Sequence, residues 1–195
     1  MKNNYFRRFR DAEDGTAAVE LVLVVPILVW ALLSTVVYFD LFKAKSMSVR
    51  AGLTIADMFS REQRIDNSFI NGAQSLLSVL ALPDGTPDLR VTYYRYDDDD
   101  KKYYVVWSKT RGTAFPAHTN ATLDLVSDRL PILADRDRTF LVETKTAYSA
   151  PFSIGIGPFV QTNFEDIDFD TFTFIRPRFS QRICFEEDNG SEVCD

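Results

Sequence analysis

The chain has 195 residues, of which 26% are charged, and a formal net charge of −6. This length suits one membrane helix followed by one modest folded domain. An acidic exterior domain without a basic patch disfavours nucleic acid and anionic lipid as partners.

An apolar stretch from Gly15 to Phe39 dominates the sequence. Leu21 to Phe39 holds no charged residue, and Ser34 and Thr35 are the only breaks in its apolar character. A helix of this length, rising about 1.5 Å per residue, nearly spans a hydrocarbon core of roughly 30 Å. The basic segment Lys2 to Arg10 precedes the stretch, so the positive-inside rule predicts a cytoplasmic N-terminus and an exported chain after Asp40.

Glu20 interrupts this pattern, because a carboxylate at the start of a membrane helix costs up to about 2.5–3.5 kcal/mol. Cleavage after Gly15 would give Thr16 a new α-amino group, and Thr16 and Glu20 are spaced i,i+4 on one helix face. Pro26 removes one backbone hydrogen bond and predicts a kink in the helix.

The segment that begins Gly15-Thr-Ala-Ala-Val-Glu20 resembles the processing site of type IV prepilins, and in particular the TadE-like pseudopilins of the tight-adherence (Tad/Flp) pilus. The resemblance implies that a membrane prepilin peptidase removes residues 1–15. It also implies that Glu20 then neutralises the free amine of its own or a neighbouring subunit during assembly. Two other interpretations stay open, namely an uncleaved signal anchor, which leaves Gly15 and Glu20 unexplained, and a removed secretory signal, whose apolar region is normally shorter.

Beyond Asp40 the pattern predicts two amphipathic helices. The first continues from Leu41, with Phe42, Val49, Leu53 and Ala56 as the stripe that packs on the domain. The second begins after Asp66 as N-cap and ends before Pro83. Its core face comprises Phe69, Ile70, Ala73, Leu76, Leu77 and Leu80.

Alternating residues then predict β-structure. Two strands around residues 89–94 and 103–107 form a hairpin whose tip, Asp97 to Lys102, we interpret as solvated, since it lacks the spacing of an EF-hand loop. A short helix at 120–129 and strands at 139–149 and 171–175 follow. The glycine-rich loop Phe152–Phe159 is either a buried connection or an exposed surface for a neighbouring subunit or the membrane. The strand pair, its Gly-Pro loop and the Arg176-Pro-Arg178 segment also resemble the C-terminal half of TadE-like proteins.

Cys184 and Cys194 are the only two cysteines, and a close pair in an exported domain predicts a disulfide. Asn189-Gly190 lies near the midpoint between them and predicts a hairpin turn. His118, the only histidine, lies in a loop and is predicted to be a surface residue. The sequence shows no pattern typical of catalysis, of metal ligands or of a cofactor site, and nothing in it argues for an enzyme.

Together these patterns predict an α+β protein in which a long N-terminal transmembrane helix continues into an exported domain with an antiparallel sheet packed on helices. The predicted parts are a leader (1–15), a pilin-like membrane helix (16–42) and a periplasmic domain (43–195). The resemblance implies a minor pseudopilin of the inner membrane, with the protein located either in that membrane or in the pilus. Its implied partners are membrane lipid, the prepilin peptidase, other pilins and the Tad assembly machinery. The competing hypotheses are a membrane-anchored periplasmic adaptor or binding module unrelated to pili and, third, an anchored enzyme.

Overall fold

The computed structural model describes residues 16–151, 167–180 and 182–194. Helix α1 (Thr16–Arg61) has 46 residues and continues without interruption through Pro26. Its first half carries exposed apolar side chains, whereas its second half packs against the rest of the chain, here called the head. One helix therefore belongs to two environments.

The head follows α1 as a mixture of short helices and strands. Its helices are α2 (Asn67–Ala81), α3 (Asn120–Asp124) and a 3-10 turn (Ser127–Arg129). Its described strands are β1 (Arg64–Asp66), β2 (Asp88–Asp97), β3 (Lys102–Arg111), β4 (Arg138–Tyr148), β5 (Ile167–Ile175), β6 (Cys184–Glu186) and β7 (Glu192–Val193).

The main sheet has four strands in the order β3-β2-β4-β5, and all its neighbours are antiparallel. A small second sheet has the order β1-β6-β7, with β1 parallel to β6. The predicted α+β class with an antiparallel sheet packed on helices is confirmed.

Both faces of the main sheet are covered. One face meets α1 and α2 around Phe59, Tyr93 and Phe140, and the rings of Tyr93 and Phe140 have centroids 4.7 Å apart. The other face meets the segment from α3 to Leu133, with Tyr94, Leu123 and Leu141 fully buried. Because both faces are covered, the central strands β2 and β4 are buried along almost their whole length.

Several predicted elements are confirmed. Asp66 caps α2 by accepting a hydrogen bond from the Phe69 amide at 2.7 Å. This bond and a second one from the Ser68 hydroxyl lower the pKa of the Asp66 carboxyl. The hairpin, the short helix near residue 120 and the strands of residues 139–149 and 171–175 are present. On α2 the predicted face is buried at Ile70, Ala73 and Leu77, partly buried at Phe69 and Leu80, and exposed at Leu76.

The predicted packing stripe of α1 is wrong. Phe42, Val49 and Leu53 are 62%, 42% and 52% exposed, and only Ala56 of the predicted four is buried. The face that meets the head instead combines five small residues with Val37, Ile55 and Phe59, and the sheet approaches the helix most closely where the side chains are short. Its buried members are Val37, Ser48, Ala51, Gly52, Ile55, Ala56, Phe59 and Ser60.

Candidate functional site: helix α1 and its contacts with the head

Helix α1 is long and apolar enough to cross a membrane, and its apolar residues are concentrated in its first half. Its most apolar window has a mean hydropathy of 2.5, and only 6% of that window is buried by the protein. A core helix of a soluble protein would be mostly buried, so this surface needs another apolar environment. The finding is compatible with single-pass anchoring.

Glu20 lies on this exposed part of α1, one turn after the start of the helix at Thr16. The i,i+4 spacing of the two residues is therefore helical, as predicted. Gly15 and the rest of the leader lie outside the described residues, as does the loop Phe152–Phe159. Thr16 and Glu20 thus lie on the same helix, as predicted, and cleavage after Gly15 stays a prediction.

Pro26 lies inside α1, ten residues after its start. Its ring nitrogen has no hydrogen, so the carbonyl of Val22 lacks its usual helical donor. The helix nevertheless continues to Arg61. Pro26 is a local weakness in the helix, positioned in the half that the head does not support.

The head docks along the second half of α1, with β4 running in the opposite direction. Phe59 packs on Phe140 near the top, and the Ser48 and Thr146 hydroxyls are hydrogen-bonded at 2.8 Å. These contacts, together with the one made by Asp40 below, extend over about 28 Å of helix. The orientation of the helix relative to the head is therefore held by packing and not by one flexible linker.

Tyr148 closes the lower end of this contact. Its hydroxyl donates to a carboxylate oxygen of Asp40 at 2.8 Å. Burial and this hydrogen bond raise the pKa of Tyr148 to about 12, so the hydroxyl keeps its proton under physiological conditions. Asp40 directly follows the apolar run, and the bond therefore fixes the end of β4 beside the boundary of the predicted span.

Gly52 permits the closest approach of α1 to the sheet. A Cβ at this position would lie 2.7 Å from the Thr171 Oγ1 on β5. That hydroxyl is held in turn by the Thr144 hydroxyl at 2.6 Å. The predicted stripe of large apolar residues does not include this contact. Small residues recur at Ala44, Ser48 and Gly52 with i,i+4 spacing, a pattern that marks a face open to close approach but does not identify what packs on it.

The C-terminal segment fastens the top of α1. Arg178 donates from its backbone amide to the Ser60 carbonyl at 2.8 Å, and its guanidinium pairs with Asp57. Trp107 donates its indole N–H to the Ile183 carbonyl at 3.2 Å. The chain after β5 therefore crosses the core and contacts the C-terminal end of α1.

The predicted disulfide between Cys184 and Cys194 is present, and it closes the β6–β7 hairpin. Gly190 has φ = 78° and its amide donates to the Glu187 carbonyl, so the predicted turn is also present. Phe185 between β1 and β7 is fully buried. The disulfide thus holds a core residue in place through a two-stranded element that is otherwise very short.

The prediction for His118 is wrong, because only 7% of this residue is exposed. Its Nε2 lies 3.1 Å from Glu143 Oε2, and Arg90 donates to both oxygens of the same carboxylate at 2.6 Å. Burial would raise the pKa of Glu143, but the hydrogen bonds from His118 and Arg90 outweigh it and hold the pKa below its ordinary value. Arg90 and Glu143 are direct cross-strand partners on β2 and β4, which sequence spacing does not reveal.

The buried Arg90–Glu143–His118 group joins the sheet to the loop between β3 and α3. Arg90 also donates to the Pro116 carbonyl at 2.9 Å, and the His118 amide donates to the Ser108 hydroxyl. Because the side chains are enclosed by protein, they offer no approach to a substrate. We assign the group to holding the loop on the sheet.

The acidic hairpin tip carries local ion pairs. Arg95 pairs with Asp97, Lys101 pairs with Asp98, and the Tyr104 hydroxyl donates to Asp100 at 2.7 Å. Asp98, Asp99 and Asp100 are exposed. The tip is therefore a solvated, internally paired turn, in line with its interpretation from sequence.

Among the described residues, one group approaches metal-ligand spacing, and it consists of Cys184, Glu192 and Cys194. The two sulfur atoms are bonded to each other, so this group offers one carboxylate and no thiolate. A cleft of about 230 Å³ lies beside Asp40, Lys43 and Tyr148 where α1 meets the lower end of the head. Two of its polar groups, the Asp40 carboxylate and the Tyr148 hydroxyl, are already bonded to each other and hold the helix to the sheet.

The most prominent feature of the described residues is the exposed apolar half of α1, which is compatible with anchoring in a membrane. The residues predicted from sequence are separated in space, with Glu20 in the undocked half of α1 and the disulfide in the head. No protein-family model, curated protein or solved structure matches this chain. What the chain does must therefore be argued from its own residues, above all from a helix that the head covers over only half its length.

Proposed function

We propose that this protein is a minor, TadE-like pseudopilin that is anchored in the inner membrane by α1 and takes part in assembling an adhesive Tad/Flp pilus. The observation that carries the proposal is the half-docked helix. Its membrane-compatible half is mostly exposed and contains a single charged residue, Glu20. A simple anchor has no use for this carboxylate, whereas subunits that associate through their helices can pair it with an amine.

The leader supports the same proposal. Residues 1–15 place basic side chains before Gly15, and Thr16 becomes the mature N-terminus after cleavage. The new ammonium lies one helical turn before Glu20 and is attracted to a carboxylate of the same or a neighbouring subunit. In this mechanism the peptidase creates the positive partner that Glu20 needs.

The head is proposed to lie outside the cytoplasmic membrane, where its disulfide is stable. Its docking along α1 presents the free half of the helix in a fixed direction for association with other pilins. The proposed roles are priming, capping or supporting the assembly of the fibre.

The test is the mass of the N-terminal peptide of the protein extracted from membranes of cells that contain the cognate prepilin peptidase. We expect a mature chain that begins at Thr16, and we expect Gly15→Leu to leave the leader attached, because a bulky side chain does not fit where the peptidase accepts glycine. Gly72→Leu, at an exposed position of α2 where an added Cβ meets no atom within 4 Å, is the control that should leave processing intact. A wild-type chain that still begins at Met1 in such cells would exclude the pseudopilin and favour the anchored adaptor.

A further inference from the structure

Helix α1 carries a second apolar face above the predicted span, on the side away from the head. We call Phe39, Phe42, Ser46, Val49 and Leu53 the outward seam. Its members are spaced alternately by three and four residues, which is the spacing of a helix that pairs with another helix. Its four large side chains are between 42% and 66% exposed.

The outward seam is flanked by positive charge alone. Lys43, Lys45 and Arg50 lie beside it, all three are exposed, and none forms an ion pair with a described residue. Between Asp40 and Asp57 the chain has no acidic residue, although the protein as a whole is acidic. Lys43 and Arg50 are seven residues apart and lie on one side of the outward seam, and Lys45 lies on its other side, so the helix places positive charge along both sides.

Lipid does not account for this surface. Leu53 is 14 residues beyond Phe39, which places it about 21 Å above the end of the apolar run. The headgroup region of a bilayer extends only about 5–8 Å beyond each side of the hydrocarbon core. Val49 and Leu53 therefore stand clear of the membrane and need a partner made of protein.

Charge also argues against a second copy of this chain. In a parallel pair, a residue just before one seam position faces the residue five positions later on the partner helix. Lys45 of one copy would thus face Arg50 of the other, and the same repulsion would occur twice. A partner that carries Glu or Asp at the flanking positions would replace both repulsions with attractions.

We propose that the outward seam binds a parallel helix of a different membrane-anchored protein, whose own apolar seam is flanked by acidic side chains. Two heptads pair weakly in water, so the partner helix must be held beside α1 by a span of its own. The proposal deepens the proposed function by giving the chemistry of the neighbouring subunit, and it rests on that function only for the anchoring of α1.

The test uses the full chain in nanodiscs of neutral phosphatidylcholine and two synthetic probes. Each probe is an apolar membrane helix followed by two heptads with leucine in the seam, and the flanking positions carry glutamate in one probe and lysine in the other. Energy transfer between labelled protein and labelled probe measures their association. We expect the glutamate probe to bind at least tenfold more tightly than the lysine probe, with the preference reduced by added salt.

Four variants test the seam and its flanking charges separately. Leu53→Asp should weaken binding of the glutamate probe by tenfold or more, whereas Thr54→Asp, the same change at the adjacent exposed position off the seam, should alter it less than twofold. Replacing Lys43, Lys45 and Arg50 together by Glu should reverse the preference between the probes. Lys45→Glu alone should create self-association, because Glu at position 45 then faces Arg50 of a second copy.

Equal binding of the two probes, or no effect of Leu53→Asp, would overturn the proposal. So would wild-type copies that associate with one another more tightly than with the glutamate probe. These outcomes are separable from failure of the proposed function, since leader cleavage is read from the N-terminal mass and does not involve the outward seam.

Discussion

Glu20 is the only charged residue of α1 before Asp40, and whether its carboxylate is stabilised depends on the charges beside it. At the start of a helix a carboxylate gains from the helix dipole, and after cleavage it gains a nearby ammonium. A buried pair of this kind contributes little net stability, but removing one partner leaves the other stranded in an apolar setting. The residue is therefore dispensable for an anchor and necessary for the proposed association.

We accordingly expect Glu20→Ala to leave membrane insertion and leader cleavage intact while abolishing pilus assembly. Piliation is counted by electron microscopy and the protein level is followed by immunoblot. Glu20→Asp, which keeps the charge on a shorter side chain, should retain part of the assembly. Normal piliation by Glu20→Ala at the wild-type protein level would defeat the mechanism.

Glu143 shows the opposite situation, in which a charge is buried within the head. Its pKa is held below the ordinary value in the folded state, so its contribution to stability is present above the unfolded pKa near 4.5 and is lost as the pH falls through the folded pKa. Glu143→Gln leaves the Arg90 guanidinium buried without its counter-ion. We expect a loss of about 3–5 kcal/mol in the free energy of unfolding at neutral pH.

The measurement is denaturant unfolding in detergent, followed by the fluorescence of buried Trp107 in a Trp30→Phe background. Glu187→Gln is the matched control, because Glu187 pairs with Lys109 at a half-exposed site and should lose less than about 1 kcal/mol. The wild type should lose stability as the pH is lowered below 4.5. A wild-type pH profile below 4.5 that matches that of Glu143→Gln would show that the buried carboxylate carries no such contribution.

At the scale of elements, the packing of α1 on the sheet depends on short side chains. Gly52 lies against Thr171 on β5, and both Thr171 and its partner Thr144 are held in a hydrogen bond. A larger residue must displace this pair or lift the helix from the sheet. The same surface that makes the helix dock closely also makes it intolerant of added volume.

Two glycines within helices give a direct comparison. Gly52→Ala should destabilise the head by about 1–3 kcal/mol, because the added methyl group overlaps the Thr171 hydroxyl. Gly72→Ala on α2 meets no atom within 4 Å and should stabilise it by up to about 1 kcal/mol through helix propensity. Thermal melting in detergent measures both changes. If Gly52→Ala proved as stabilising as Gly72→Ala, the close approach of α1 to β5 would be refuted.

At the scale of the whole molecule, the disulfide reports on which side of the membrane the head resides. Cys184 and Cys194 are bonded to each other, and such a bond persists on the oxidising side. In cells the thiols of the wild type should therefore resist alkylation after denaturation without reductant, and become reactive after reduction. Free thiols in the unreduced wild type would contradict an exported head.

A control for orientation comes from the leader. Replacing Lys2, Arg7, Arg8 and Arg10 by Glu removes the positive charge that holds the N-terminus in the cytoplasm. In this variant we expect the head to remain inside and both cysteines to be alkylated without reduction. The same assay thus reads out topology and disulfide state together.

Local patterns determined much of this protein. The apolar run predicts the exposed half of α1, Asp66 predicts the start of α2, and Asn189-Gly190 with the two cysteines predicts the closed C-terminal hairpin. Each of these features depends on residues close together in the chain, and hydrophobicity, capping and turn chemistry act at that range. The proposed cleavage site and Glu20 also come from a local pattern.

Only the tertiary structure decided which face of α1 meets the head and where His118 lies. Large apolar residues were expected to face the domain, but the sheet takes the face with Ser48 and Gly52 and leaves Phe42 and Leu53 outside. His118 is buried beside Glu143, which hydrogen-bonds to it and is held by Arg90, its cross-strand neighbour that is distant in sequence. Both outcomes depend on contacts between residues far apart in the chain, for which hydrophobic periodicity carries no signal.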